Sequence, residues 1–327
     1  MNKKYGLLFP GQGSQFVGMG QDLYNNSFAA KYIFDKSNEK LDIDILKLCF
    51  NGPEEELKTT SNSQVAIFVT SIATLNVLLE KIKKQPIGEE GKDIFSQTDV
   101  NLIGSLTMGL SLGEITSLVA CGVLSFEDGL TLVYNRGKFM EEASKEQEGK
   151  MASIIGLELE KVEELCVGIG GCQVANLNCP GQIVISGNAK KIELVSDLAK
   201  SSGAKRVIML KVSGAFHSYL MRSAKEKLKN ILETIEFKNP TIDFISNIDA
   251  IITTDPIKIK DNLIKQLDSR TLWEASVKEA EKMGITNFLE IGPGTVLKGL
   301  LKKINKSFNV TSLQTMQDID DFCNNLG

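Results

Sequence analysis

The sequence predicts an α/β protein, a large body of strands and helices into which a small βαββαβ subdomain is inserted. Three observations predict it. Short apolar runs at 5–9, 100–106 and 286–291 alternate with helical patterns, as expected of a sheet covered by helices. Residues 151–212 read strand, helix, strand, strand, helix, strand, the ferredoxin-like order. Gly149 and Gly214 flank that stretch. The expected division is a large α/β subdomain at 1–148 and 214–327, with the small ferredoxin-like subdomain at 149–213.

The elements follow in order. Tyr5–Phe9 reads as a buried strand ended by Pro10-Gly11, and residues 22–50 read as helical. Pro53 starts a further short helix. Thr60–Glu80 is a long helix whose apolar positions include Val65, Ile67, Phe68, Ile72, Leu75, Leu78 and Leu79. Polar Gln85–Thr98 is expected to be an exposed loop, followed by a strand at Val100–Leu106. A helix over Glu114–Cys121 is closed by Gly122. Ser125 and Asp128 form a capping box opening a helix to about Glu146.

In the inserted unit the strands are expected at Met151–Leu157, Cys172–Leu177, Gln182–Ser186 and Lys205–Val212, with helices at Glu158–Cys166 and Ala189–Ser201. Beyond it come a helix at Tyr219–Glu233, a strand at Ile242–Ser246, helices within Ile257–Glu279, a strand at Thr286–Ile291, a helix at Val296–Ile304 and a last strand at Phe308–Leu313. Lys298, Lys302, Lys303 and Lys306 follow helical spacing and read as a solvated face.

Composition narrows the function. The chain has 327 residues, 42% hydrophobic and 24% charged, enough for a sizeable core. A net charge of -4 carries no polyanion-binding signature, so nucleic acid is not an expected partner. No continuous apolar run approaches the roughly 20 residues of a membrane span, and the N-terminal apolar run is too short for a signal-peptide core. A cytoplasmic protein with no membrane partner is expected. Six cysteines without a C-x-x-C pair, beside a single histidine, argue against zinc, and no metal is expected. The cysteines read as small core residues.

The chemistry centres on Gly109-Leu-Ser111-Leu-Gly113, a G-x-S-x-G nucleophile elbow between a strand and a helix. The glycines permit the sharp turn, and the N–H of Leu112 is placed to stabilise a developing oxyanion. His217, the only histidine, follows a strand and precedes a helix, and is the one available base for Ser111. Gly11 and Gly13 around Gln12 allow close backbone approach to a ligand. Arg136 shares the apolar face of its helix with Gly129, Leu132, Val133, Gly137 and Met140, and no acidic residue shares that face. Such an arginine is either a structural ion pair made elsewhere in the fold, a snorkelling side chain, or a receptor for a substrate carboxylate.

The chain resembles the malonyl-CoA:acyl carrier protein transacylase family of fatty acid synthesis and the related acyltransferase domains of polyketide synthases. The resemblance covers nearly the whole chain. It rests on Phe9-Pro-Gly-Gln-Gly-Ser-Gln15, Gly109-Leu-Ser-Leu-Gly-Glu114, Tyr134-Asn-Arg-Gly137, Asn176-Leu-Asn-Cys-Pro-Gly-Gln182, Val212-Ser-Gly-Ala-Phe-His217, Ser246-Asn247, Lys265-Gln266-Leu267 and Glu290-Ile-Gly-Pro-Gly294, in this order. It implies a hydrolase-like α/β body with a ferredoxin-like insertion. It implies Ser111 as nucleophile, His217 as base, the N–H groups of Leu112 and Gln12 as oxyanion hole, and Arg136 as receptor for the malonyl carboxylate. Gln266 and Asn247 would lie in the substrate site, their backbone helping to orient the histidine. Phe216 resembles malonyl-selecting members, its ring leaving little room for an α-methyl branch. Leu110, where many members have histidine, and Ala215, where many have proline, depart from the pattern.

The activity so implied is ping-pong malonyl transfer from malonyl-CoA to acyl carrier protein through a malonyl-serine, with no cofactor and no acidic third member of the triad. A monomer is expected. Lys205 and Arg206 are candidates for meeting an acidic carrier. The alternatives are a discrete polyketide acyltransferase, a serine esterase or thioesterase, which would pass the acyl group to water, and a non-catalytic module binding carrier or CoA.

Overall fold

The structure is a computed structural model that describes residues 5–84 and 99–326. Its strands are β1 Tyr5–Phe9, β2 Gly104–Gly109, β3 Gly149–Ile155, β4 Cys172–Cys179, β5 Gln182–Asn188, β6 Arg206–Met209, β7 Asp243–Phe244, β8 Asn287–Ile291 and β9 Asn309–Leu313. Its helices are α1 Gln21–Asn26, α2 Phe28–Lys40, α3 Ile45–Asn51, α4 Glu54–Leu57, α5 Thr60–Lys83, α6 Leu112–Ala120 and α7 Phe126–Glu146. They continue with α8 Leu159–Ile169, α9 Ala189–Ser201, α10 Arg222–Thr234, α11 Pro256–Gln266, α12 Trp273–Lys282, α13 Val296–Ile304 and α14 Met316–Asn324.

A five-stranded sheet in the order β7-β2-β1-β8-β9, with every pair parallel, forms the centre of the body. Its strands are apolar because helices cover both faces. β1 lies between β2 and β8, with Phe9 opposite Gly109, so Pro10-Gly11 and the elbow emerge side by side at the carboxyl ends of the strands. That edge is where open parallel sheets place their ligands. The second sheet runs β4-β5-β3-β6, all antiparallel, backed by α8 and α9 around Ile154, Val162, Ile185, Ile192 and Val195. This is the ferredoxin-like arrangement expected of the inserted unit. The chain enters and leaves it at neighbouring points, since a Cβ on Gly149 would stand 2.5 Å from that of Ala215.

Several elements differ from expectation. The strand set at 100–106 begins only at Gly104, because Asp99–Leu102 form a 3₁₀ turn, and it continues into the elbow. Residues 22–50 break into three helices, with Ser27 capping α2 and Asp44 capping α3 through their side-chain oxygens. The strand at 242–246 shrinks to two residues, and Tyr219 opens a 3₁₀ turn before α10. The terminal helix α14 was not expected; a complete capping box between Thr315 and Asp318 starts it. The loop expected at 85–98 lies outside the described residues.

Helix α5 corrects the reading of the apolar runs. By length and composition it is apolar enough to cross a membrane, yet it is buried in the protein from Ser63 to Leu79. It packs on α2, α6 and α7 and is a core helix of the body. Buried Gln64, Thr70, Ser71, Thr74 and Asn76 interrupt its apolar positions, which is why no continuous apolar run marked it. All six cysteines are free; Cys49, Cys121, Cys166 and Cys179 are buried, and Cys172 and Cys323 are half-buried. The four lysines of the α13 cluster are exposed, as expected.

Candidate active site

Ser111 sits between β2 and α6 with φ 54° and ψ −101°, a conformation that costs a non-glycine residue about 1–3 kcal/mol. Packing enforces it. A Cβ on Gly109 would lie 2.0 Å from the Gly113 carbonyl oxygen, and one on Gly113 would lie 2.0 Å from that of Phe9. The two glycines therefore let β2, α6 and the end of β1 touch backbone to backbone. Asn247, fully buried, ties the turn from the other side. Its Oδ1 accepts from the Ser111 N–H at 2.7 Å, and its Nδ2 donates to the Gly109 carbonyl at 2.7 Å. The Asn247 carbonyl accepts from the Leu272 N–H at 2.8 Å, in the segment that follows Gln266.

His217 is brought to Ser111 across 106 residues, with Nε2 2.8 Å from the serine Oγ. Nδ1 lies 2.8 Å from the Gln266 carbonyl oxygen. A carbonyl can only accept, so Nδ1 carries the proton and Nε2 presents its lone pair to the Ser111 hydroxyl. The histidine also has positive φ, 56°. Gln173 of β4 donates to the His217 carbonyl at 3.2 Å and to that of Asp268 at 3.2 Å. Burial, helped by the charge of Arg136, pushes the imidazole down to about 4, so the ring is neutral at pH 7.

Arg136 is 1% exposed and, among the described residues, has no carboxylate hydrogen-bonded to it. Nη1 donates to Gln64 Oε1 at 2.6 Å, and Nη2 to Gln266 Oε1 at 2.8 Å and to Ser111 Oγ at 3.0 Å. Its buried Nε has no partner among the described residues. Burial pulls the guanidinium down to about 10 while the nearby Glu114 charge raises it, leaving it charged at neutral pH. Of the three roles open to this residue, surface snorkelling is excluded by burial.

Gln266 joins these groups. Its carbonyl holds the histidine, its Oε1 the arginine, and its Nε2 donates to the Ser111 carbonyl at 3.0 Å and to the Glu114 carboxylate. Glu114, fully buried in the first turn of α6, is pushed up to about 7 by burial, which outweighs the lowering by Gln266, Asn247, Ser246 and Arg136. Neither its part in the cluster nor that of Gln64 was foreseen. The available signal was polarity at positions that helical periodicity buries.

Leu112 is buried at the start of α6, where helix N–H groups lack intrahelical acceptors. Gln12 is half-buried one residue beyond Gly11, whose Cβ would stand 2.4 Å from the Leu110 carbonyl oxygen. The Gln12 loop is therefore in backbone contact with the elbow. Phe216 is buried beside the histidine, its ring next to Gly214. Lys205 and Arg206 are exposed on the small sheet. The cluster suits acyl transfer through serine: a serine in a strained turn, a neutral histidine fixed in one tautomer on its hydroxyl, and a buried cation beside the same oxygen.

The acyl transferase domain model matches residues 7–86 and 102–320. A malonyl CoA-acyl carrier protein transacylase of Bacillus subtilis is 44% identical over 321 residues, spanning 97% of this chain and 95% of the relative. A malonyl CoA-acyl carrier protein transacylase structure from Clostridium perfringens superposes with a TM-score of 0.88 at 35% identity, covering 99% and 97% of the two chains. A malonyl-transacylase solved with its type II PKS acyl-carrier protein gives 0.89 at 35% identity, covering 99% and 100%.

Proposed function

The chain belongs to the acyl transferase domain family, and from that membership we propose that it moves a malonyl group from malonyl-CoA to the phosphopantetheine thiol of acyl carrier protein. The pathway supplied is fatty acid synthesis. The observation that carries the reading is the buried guanidinium of Arg136, 3.0 Å from the nucleophile, held by neutral amides and with an unpartnered N–H. An acyl group ending in a carboxylate supplies the acceptor that this cation lacks.

In the first half-reaction His217 Nε2 takes the Ser111 proton as Oγ attacks the thioester carbonyl. The N–H groups of Leu112 and Gln12 hold the oxyanion. The carbon–sulfur bond breaks, the proton passes to the departing CoA sulfur, and a malonyl-serine ester remains with its carboxylate on Arg136. The carrier thiol then attacks this ester, gives its proton to His217, and leaves as malonyl thioester while Ser111 regains its proton. The Gln266 carbonyl does the orienting work of a triad acid. Phe216 limits branching next to the reacting carbonyl, and Gln266 sets the arginine. We further assign the small sheet, within residues 149–213, as the second wall of the acyl site, and read the protein as a cytoplasmic monomer that needs no cofactor, nucleic acid or membrane.

The test is intact mass after brief incubation with malonyl-CoA, beside acetyl-CoA and a Ser111→Ala control. A malonyl adduct on the unsubstituted protein alone, discharged by acyl carrier protein faster than by water, is the expected result. Rapid loss to water would make the protein a hydrolase instead.

A further inference from the structure

Glu114 is a carboxylate with no task in the mechanism above, yet it is fully buried three residues after the nucleophile. It reaches Arg136 through one amide, with Gln266 Nε2 on Glu114 and Gln266 Oε1 on the guanidinium. Without acyl group, one buried anion and one buried cation balance. A malonyl group brings a second carboxylate to the same guanidinium. The second anion repels the Glu114 charge while the cation's attraction for Glu114 is unchanged, so the protonated form of Glu114 gains. Such pairs are relieved by a proton on one member.

We propose that Glu114 is the proton-accepting counter-group of the carboxylate subsite, taking one proton from solvent when the malonyl carboxylate settles on Arg136 and returning it when the malonyl group leaves. The inference rests on the malonyl reading above. Each turnover is balanced, because the proton bound on loading is released on discharge.

The surroundings single out Glu114. Arg136, from α7, is the charged group acting on it. His217 shares the cluster through Gln266 but is neutral near pH 7. Gln64 from α5, and Ser246 and Asn247 after β7, are uncharged, and β1 and β2, which pack on α6, carry no Asp, Glu, Lys, Arg or His within Tyr5–Phe9 and Gly104–Gly109. Burial already holds the carboxyl at about 7, so a second anion needs to move it only slightly to load the proton near neutral pH. An acetyl group brings no charge and leaves Glu114 as it was.

The experiment loads concentrated enzyme in weakly buffered solution at about pH 7.5 with a pH indicator, counting adducts by intact mass. Acyl transfer itself moves the serine proton to the CoA thiol and is neutral in protons. The expected result is uptake of up to one proton per malonyl-enzyme, none per acetyl-enzyme, and none with either donor for Glu114→Gln. Malonyl loading of the unsubstituted enzyme should also weaken as pH rises above about 7, by at most about tenfold per pH unit, with acetyl loading flat. Adduct without uptake, equal uptake with both donors, or uptake retained in Glu114→Gln would each overturn the inference and leave malonyl transfer standing. Absence of any malonyl adduct would overturn both. Should Glu114→Gln fail to fold, the comparison of the two donors on unsubstituted enzyme still decides.

Discussion

Arg136 and His217 carry the residue-scale predictions. Replacing Arg136 by alanine removes the cation that a distal carboxylate needs but leaves Ser111 and His217 in place. Malonyl transfer should fall at least about 30-fold, in line with the roughly 2–5 kcal/mol lost on truncating a buried charge partner, while acetyl transfer changes far less. Comparing kcat/KM for the two donors checks this, and equal losses would remove the carboxylate role. The histidine sets the acid limit. Its folded value is depressed to about 4, so the neutral base persists as pH falls and is lost only near that value. Acetyl loading should therefore keep most of its rate at pH 5.5, where an ordinary histidine would be about 90% protonated. A midpoint near 6.5 in a pH–rate profile would contradict this. Ser111, His217 and Arg136 were legible because each is unusual locally: a serine between glycines, a lone histidine, a cation on an apolar face. Gln64 and Glu114 were not, since their meaning depends on partners 72 residues away and, through Gln266, 152 residues away.

At the scale of elements, the contact of β1, β2 and α6 decides where the nucleophile stands. A methyl group on Gly113 would press into the Phe9 carbonyl. Gly113→Ala should cost at least the roughly 1–3 kcal/mol of an overpacked core site and disturb Ser111 as well. Thermal unfolding and the yield of acyl-enzyme would both drop. A loss of stability with loading intact would mean that the elbow tolerates displacement. Elements with strong local signals, such as β1, α6 and α7, were legible almost to the residue. The 3₁₀ turn at Asp99–Leu102 and the shortened β7 were not, because where a strand stops depends on which neighbours it finds. The capping box of Thr315 and Asp318 that starts α14 was not read, because only a short, mostly polar segment follows it.

For the whole molecule, the small sheet meets the segment between α11 and α12 beside His217. Thr271 donates its N–H to Ala175 of β4 at 2.8 Å and accepts from the Leu177 N–H at 2.9 Å, while its Oγ1 lies 3.5 Å from His217 Nδ1. Gln173, also on β4, spans the His217 and Asp268 carbonyls and accepts from the Tyr219 N–H. The small sheet thus grips the segment that carries the histidine. Gln173→Ala should lower kcat several-fold for both acyl donors while costing only about 1 kcal/mol of stability, the net worth of a typical hydrogen bond. Chemical denaturation beside steady-state rates separates the two, and an unchanged kcat would show that the bridge is only structural. The order of strands and helices in the inserted unit was readable from sequence; the side of the body on which it docks was not, because the seam joins backbone groups of Thr271, Ala175 and Leu177 and single side chains such as Gln173 to partners far away in sequence.

Helix α5 leaves the ribosome before α6 and α7, the elements that later cover much of it. A nascent chain that has emerged as far as residues 84–126 presents an apolar helix with no α6 or α7 to cover it, and transiently exposed apolar surface of this kind favours aggregation and chaperone binding. Translation without cells, stopped in that interval in the presence of liposomes, should leave the product bound to the lipid. Continuing through α7 should release it. The helix at the centre of the folded body is therefore uncovered apolar surface during synthesis, and slow decoding just downstream of it would be expected to lower the yield of folded protein.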